Sequence, residues 1–136
     1  MDRAEKHLRI YMRIVGTSMV AAVVGVLMPL EWMDAVHRKL DLGPLPQGPI
    51  VDYMARSLSL FYVIEGGLCW LVSFSLRRHL TIVTYLGVTG TLGAIALGVI
   101  DLRAGLPTHW AVSEMTVPTL MSLVMLWLRS RVRANP

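Results

Sequence analysis

The sequence has little of what most enzymes and metalloproteins are built from. It has one cysteine, Cys69, so no disulfide can form within the chain. Only 16% of its 136 residues are charged and 7% are aromatic. It has no phosphate-binding glycine loop, no nucleophile elbow, no cysteine pair and no Ser/His/Asp set. These absences argue against an enzyme, and we expect no cofactor.

Histidine is scarce where a buried cofactor would need it. The four histidines, at positions 7, 37, 79 and 109, all lie outside the apolar segments, so histidine could ligate a haem only at the membrane interface. Asp101, His109 and Glu114 form an outer acidic rim whose residue types suit a hard or borderline metal. Their spacing matches no defined metal motif, so we predict that the rim faces water and holds no metal.

Apolar residues make up most of the chain. They account for 54% of it, and the mean hydropathy is +0.56, which is too high for an ordinary soluble domain. An α-helix needs about 20 apolar residues to cross the bilayer, and four segments approach or exceed that length. The sequence predicts an all-α fold, an integral membrane four-helix bundle forming a single domain over residues 1–136. The predicted spans are residues 14–30, 50–76, 80–100 and 110–128.

A basic lead, residues 1–13, precedes the first apolar segment, as in a signal peptide. The seventeen apolar residues that follow exceed the usual hydrophobic region of about 7–15, and no clean A-x-A cleavage site comes after them. We therefore expect this segment to be retained as span one, with residues 1–13 forming a short amphipathic helix at the inner membrane surface.

The connection between spans one and two has a helical part and an irregular part. Residues 31–41 predict a short interfacial amphipathic helix, with Trp32 and Val36 on one face. Glycines and prolines then exclude regular structure until Pro49, which suits the first position of span two. Asp52 and Arg56, four residues apart, are predicted to pair on its leading turns.

Charge distribution predicts the orientation. Nine of the thirteen Lys and Arg residues lie at the N-terminus, at Arg77-Arg78 or in the C-terminal tail, and four lie in the other two connections. Those two connections also carry six of the nine acidic residues. By the positive-inside rule, both termini are predicted to be cytoplasmic, and we expect a bacterial inner membrane.

Small residues recur at helical spacing on spans one and three, which favours close packing between helices. On span one they are Thr17, Ala21 and Gly25; on span three they are Gly87, Gly90, Ala94 and Gly98.

Glu65 is the one charged residue in the apolar stretch of residues 58–76. A carboxyl group at that depth is costly in lipid and should face protein, water or a partner. It is either a protonatable site for a proton or cation, or a neutral acid that fixes helix register through a hydrogen bond. Residues predicted to share its depth and form an intramembrane polar site are Tyr62, Thr89, Thr91 and Thr116.

Two stretches, ARSLSLFYVIEGG at the start of span two and DLRAGLPTHWAVSE between spans three and four, resemble small bacterial four-span membrane proteins. In size and topology the chain is similar to DoxX-like membrane proteins. The resemblance implies a four-helix bundle and no particular chemistry. Small multidrug transporters also carry one membrane glutamate, but theirs is in the first span, whereas Glu65 is in the second.

These observations predict a non-enzymatic structural or accessory subunit of a homo-oligomeric or larger membrane complex. The alternative is a small transporter or ligand-binding bundle that uses Glu65. The expected partners are the lipid bilayer and protein subunits or further copies of the chain. Nucleic acid is not expected despite a net charge of +4, because the basic residues cluster beside apolar spans.

Overall fold

The structure is a computed structural model that describes residues 3–133. Those residues form helices and their connections, with no strand among them. The helices are α1 Arg3–Val20, α2 Val23–Leu27, α3 Leu30–Lys39, α4 Pro49–Phe74, a 3₁₀ turn at Leu76–His79, α5 Leu80–Ala104 and α6 Thr108–Ser130. Four helical stretches are long and apolar enough to cross a membrane: Arg3–Leu27, Pro49–Phe74, Leu76–Ala104 and Thr108–Ser130. The prediction of an all-α fold with four membrane-length helices is confirmed.

Helix boundaries follow local chemistry. Pro49 is the first residue of α4, where its missing N–H is not needed. Gly105 ends α5 in the left-handed region at φ 79°, and the Leu106 amide then donates to the Asp101 carbonyl at 3.0 Å. The predicted pair on the leading turns of α4 is present, with Arg56 Nε 2.7 Å from Asp52 Oδ1.

The helix that contains the first predicted span begins at Arg3, ahead of residue 14, and the start of the span itself stays a prediction. Leu8 and Met12 are fully buried, and Glu5 is nearly so. Their spacing places them on one face of α1, and the charged lead continues this helix instead of forming a separate element. Residues 1 and 2 of that lead lie outside the described part of the chain.

Helix α3 occupies most of the segment predicted to be an interfacial helix. Trp32 is 65% exposed and Val36 is 47% exposed, so this apolar side is not covered by the rest of the protein. Asp34 connects the helix to the loop that follows, because it accepts hydrogen bonds from the Leu45 amide at 2.7 Å and from Arg38 Nε at 2.8 Å. The position of α3 at a membrane interface stays a prediction.

Contacts divide the chain into two compact units. The central unit is residues 14–70. The terminal unit comprises residues up to 13 and from 71 onward, and all four long helices contribute to it. Its core includes Leu76 and Val83, and Tyr11 of α1 donates its hydroxyl to the Met121 carbonyl of α6 at 2.7 Å. The single-domain prediction spans both units and stays a prediction.

In the terminal unit, the small residues of α5 pack against α6. Ala94 is 4% exposed, and Gly87 and Gly98 are buried. A Cβ atom built at Gly98 would lie 2.6 Å from the Met115 Cβ, and one built at Gly87 would lie 2.6 Å from Leu126 Cδ2. A Cβ at Gly90 would meet the Ser122 side chain. The stripe predicted on span three therefore faces another helix of the same chain.

In the central unit, α1 and α4 approach each other closely at two glycines, Gly16 and Gly66, that the predicted stripe did not include. A Cβ at Gly66 would lie 2.7 Å from the Gly16 carbonyl oxygen, and a Cβ at Gly16 would lie 2.8 Å from the Gly66 carbonyl oxygen. Of the predicted stripe, Thr17 accepts a hydrogen bond from Trp70 Nε1 at 3.1 Å, a Cβ at Gly25 would meet Ser59, and Ala21 is exposed.

Candidate functional site

Glu65 lies within the apolar length of α4 and on the surface of the protein. Nine residues separate it from Phe74 and sixteen from Pro49, which correspond to about 14 Å and 24 Å at the helical rise. A hydrocarbon core is about 30 Å thick, so no placement of the whole helix across it brings this carboxyl group far into water. The structure therefore places an exposed acidic group within the apolar length of a helix long enough to span a membrane.

The surroundings of Glu65 show which face of α4 it belongs to. Gly66 and Cys69 are buried, with Cys69 only 2% exposed, whereas Phe61 on the other flank is 68% exposed. Tyr62, one turn before Glu65, is 36% exposed. Glu65 thus lies at the edge of the packed face, where it adjoins both the protein and its surroundings.

The threonines predicted to share this depth belong to the terminal unit, whereas Glu65 and Tyr62 belong to the central unit. Thr89 donates its hydroxyl to the Tyr85 carbonyl at 2.7 Å, and Thr91 donates to the Gly87 carbonyl at 2.8 Å. Both hydroxyls are therefore used by their own helix. Thr116 is exposed on α6. A polar layer that joins these threonines to Glu65 stays a prediction.

Part of the predicted outer rim does come together. Asp101, in the last turn of α5, is 8% exposed, and its carboxyl group adjoins that of Glu114 on α6. Trp110, one turn before Glu114 on α6, also adjoins the Glu114 carboxyl group. The structure therefore brings together two of the three predicted rim residues, one from each helix.

The Asp101 Oδ2 atom is buried, and among the described residues it has no hydrogen-bond partner. His109 is exposed at the start of α6. Within residues 3–133, no three His, Cys, Asp or Glu side chains are grouped closely enough to hold a metal ion. The rim thus brings the buried Asp101 next to the half-buried Glu114, and an exposed histidine lies in the same region of the sequence.

A second charged cluster, at the opposite end of α5 from Asp101, was not predicted. Glu5 Oε1 lies 3.1 Å from Arg9 Nη2, and Glu5 Oε2 lies 2.8 Å from Arg77 Nε. The four-residue spacing of Glu5 and Arg9 was a visible signal for the first pair. The second joins positions 5 and 77, and no local pattern reports such a distant contact.

No family model, curated protein or solved structure matches this chain. Membership of the DoxX-like proteins stays a prediction. Function therefore has to follow from the geometry and chemistry of the described residues.

Proposed function

We propose that this protein is a non-enzymatic membrane subunit that self-associates through the Glu65 face of α4. The observation that carries the proposal is the exposed carboxyl group of Glu65 within the apolar length of that helix. We define the Glu65 face as Phe61, Glu65 and Leu68, which are exposed and lie one turn apart on α4. The expected product of association is a homo-oligomer.

Lipid is a poor environment for this face. An acidic side chain at the centre of a membrane helix costs about 2.5–3.5 kcal/mol on insertion scales, and hydrocarbon offers it no hydrogen-bond partner. Covering the carboxyl group with protein supplies such a partner. Helix contacts made through polar groups in membranes contribute about 0.6–2 kcal/mol each.

A second copy of the chain is the occupant that this chemistry favours. A neutral carboxyl group is both a donor and an acceptor, so two Glu65 side chains can satisfy each other. A two-fold symmetric contact places the same residue on both sides of the axis, which brings this pair together without any further chain. The flanking residues Phe61 and Leu68, 68% and 37% exposed, supply apolar contact around it.

The alternative function, a small transporter or ligand-binding bundle, needs polar groups to converge on Glu65. The hydroxyls of Thr89 and Thr91 donate to carbonyls of α5, which makes them poor candidates for that role. Self-association needs only the exposed face of α4. It is therefore the function that we place first.

We further propose that the subunit resides in a bacterial inner membrane with both termini cytoplasmic. Nine of thirteen basic residues on one side support this orientation. Reporter fusions after Arg78 and after Gly105 would test it, with cytoplasmic activity expected only for the first.

Cysteine cross-linking in native membranes tests the proposed contact while keeping Glu65. In a Cys69→Ala background, Phe61→Cys should form a disulfide-linked dimer on mild oxidation. Leu60→Cys is the matched control, because it is also exposed, at 49%, and lies at nearly the same depth but about 100° around the helix. We expect little or no dimer from it.

The role of the carboxyl group is tested by the mass of the particle in gentle detergent. Glu65→Gln keeps a donor and an acceptor, so the oligomer should persist. Glu65→Leu should weaken it about 3- to 30-fold, the equivalent of one interhelical polar contact. A monomeric wild type, equal cross-linking at both positions, or co-purification with a different chain in place of a second copy would refute self-association through this face.

A further inference from the structure

The terminal unit contains an arginine-lined cleft at the end where α1 begins and α4 stops. Its volume is about 450 Å³, and it is lined by Arg9 from α1 and by Phe74, Arg77 and Arg78 from the end of α4 and the following 3₁₀ turn. Glu5 also lines it. The cleft is separate from the Glu65 face, which belongs to the central unit.

The charges of this cleft do not cancel. Glu5 is the one acid among its lining residues and is 7% exposed, and it is engaged by both Arg9 and Arg77. Three arginines against one carboxylate leave a net charge of +2 on the lining. The cleft is therefore built to receive an anion.

Arg9 adds a more specific signal. Its Nη2 donates to Glu5, but its Nε atom is buried and has no hydrogen-bond acceptor among the described residues. A buried donor without an acceptor costs free energy, and a guanidinium group matches the oxygens of a phosphate in geometry and charge. The Arg9 side chain as a whole is 27% exposed, so it is accessible to a ligand in the cleft although its Nε atom is buried.

We infer that the cleft binds the phosphate group of an anionic membrane lipid. The cleft lies at the end of a membrane-length helix whose last turns expose apolar side chains, with Phe74 61% and Leu71 67% exposed. These two residues are three apart on α4 and so lie near one another on its surface. A lipid uses both parts of the site, since its phosphate meets the arginines and its acyl chains cover the apolar surface. A soluble phosphate uses only the first part. Basic pockets at the ends of membrane helices are suited to such headgroups.

Native mass spectrometry of the purified full chain, released from neutral detergent, tests the inference by the lipid adducts it retains. The probes are phosphatidylglycerol, phosphatidylcholine and inorganic phosphate. Wild type should retain phosphatidylglycerol in preference to phosphatidylcholine. Arg78→Gln should weaken that retention about fivefold, which corresponds to ~1 kcal/mol per basic residue at 1.4 kcal/mol per tenfold.

Lys6→Gln is the matched control, because it removes the same charge from an exposed position on α1 that does not line the cleft. It should leave retention unchanged. Arg9→Gln is a second variant in the cleft and should also lose the lipid. Its particle mass and melting temperature are measured alongside, because its partner Glu5 is buried.

Three results would overturn the inference. Equal retention of the two lipids would show that the cleft does not select lipids by the charge of the headgroup. Equal losses in Arg78→Gln and Lys6→Gln would assign the effect to general surface charge. Displacement of the lipid by an equal concentration of inorganic phosphate would make this a soluble-anion site.

Discussion

Replacing Gly66 with alanine should separate α1 from α4. A Cβ atom at this position would lie 2.7 Å from the Gly16 carbonyl oxygen and 2.9 Å from both the Val20 nitrogen and the Met19 Cβ. Two of these atoms are backbone, and the third is bonded directly to it, so a change of side-chain rotamer cannot remove the overlap. Ordinary contact begins near 3.4 Å, so the helices would have to move apart by about 0.7 Å at the crossing.

The neighbouring glycine allows the size of this effect to be isolated. Gly67 lies in the same helix, and a Cβ built on it has no atom within 4 Å. Both substitutions gain about 1 kcal/mol of helix propensity, whereas only Gly66→Ala overpacks, at about 1–3 kcal/mol. The propensity gain cancels when the two variants are compared. Gly66→Ala should therefore be less stable than Gly67→Ala by about 1–3 kcal/mol.

The measurement is equilibrium unfolding of each purified variant in mixed micelles, with the helical signal followed as denaturing detergent is added. Gly67→Ala should unfold at or slightly after wild type, and Gly66→Ala clearly before it. If the two variants unfold together, α1 and α4 do not approach closely at Gly66, and the packing of the central unit described above is wrong.

Two further predictions concern other contacts. Gly98→Ala places a Cβ 2.6 Å from the Met115 Cβ, whereas the Cβ of Gly93→Ala on the same helix has no atom within 4 Å. In the same unfolding assay, Gly98→Ala should therefore be less stable than Gly93→Ala by about 1–3 kcal/mol. Equal stability of the two variants would contradict the close contact between α5 and α6 at Gly98. The hydrogen bond from Arg38, followed by that from the Leu45 amide, lowers the pKa of Asp34 below its ordinary 3.8. Because the folded-state pKa is the lower one, the stabilisation of α3 and its loop is fully present above pH 3.8 and is lost as the pH falls through the folded-state pKa. The Leu45 amide should be better protected from hydrogen exchange in the wild type than in Asp34→Asn, and this difference in protection should disappear as the pH falls through the folded-state pKa of Asp34. A difference in protection that stays constant down to about pH 2 would contradict the prediction.

The membrane-length helices were predictable because the bilayer fixes their length. Hydrocarbon thickness requires about 20 apolar residues per helix, and that requirement is local in sequence. The α5 stripe was predictable for a similar reason, since Gly90, Ala94 and Gly98 recur every four residues. The start of α4 at Pro49 follows from the chemistry of a single residue.

The start of α1 and the glycine crossing of α1 and α4 were not predictable in this way. Arg9 and Arg13 interrupt the apolar pattern, so residues 1–13 were separated from the span although the helix is continuous from Arg3. In the fold, Arg13 Nε donates to Ser73 at 3.2 Å, a partner sixty residues away. The Gly16–Gly66 approach likewise joins distant positions. Each glycine is visible in the sequence, but the pairing depends on the tertiary fold.

The candidate site was only partly predictable. The residue type and depth of Glu65 singled it out, because an acid is rare and costly within a membrane helix. Its exposure could not be read from the sequence, since the packed face of α4 is set by the buried neighbours Gly66 and Cys69 and by the glycine crossing. The sequence predicts that Asp101 and Glu114 lie on one side of the membrane, but their close approach depends on how α5 meets α6.

Glu5 and Glu65 are the same type of residue, but the protein surrounds them with different partners. Glu5 is 7% exposed and is held by Arg9 and Arg77, so its charge is compensated within the chain. Within residues 3–133, the ion pairs engage Glu5, Asp34 and Asp52, and none engages Glu65. An acidic side chain in a membrane helix can be stabilised in two ways, by a counter-charge or by a hydrogen-bonding partner. The chain supplies the first to Glu5. For Glu65 it leaves an exposed face, and the proposed self-association would supply the second from another copy of the chain.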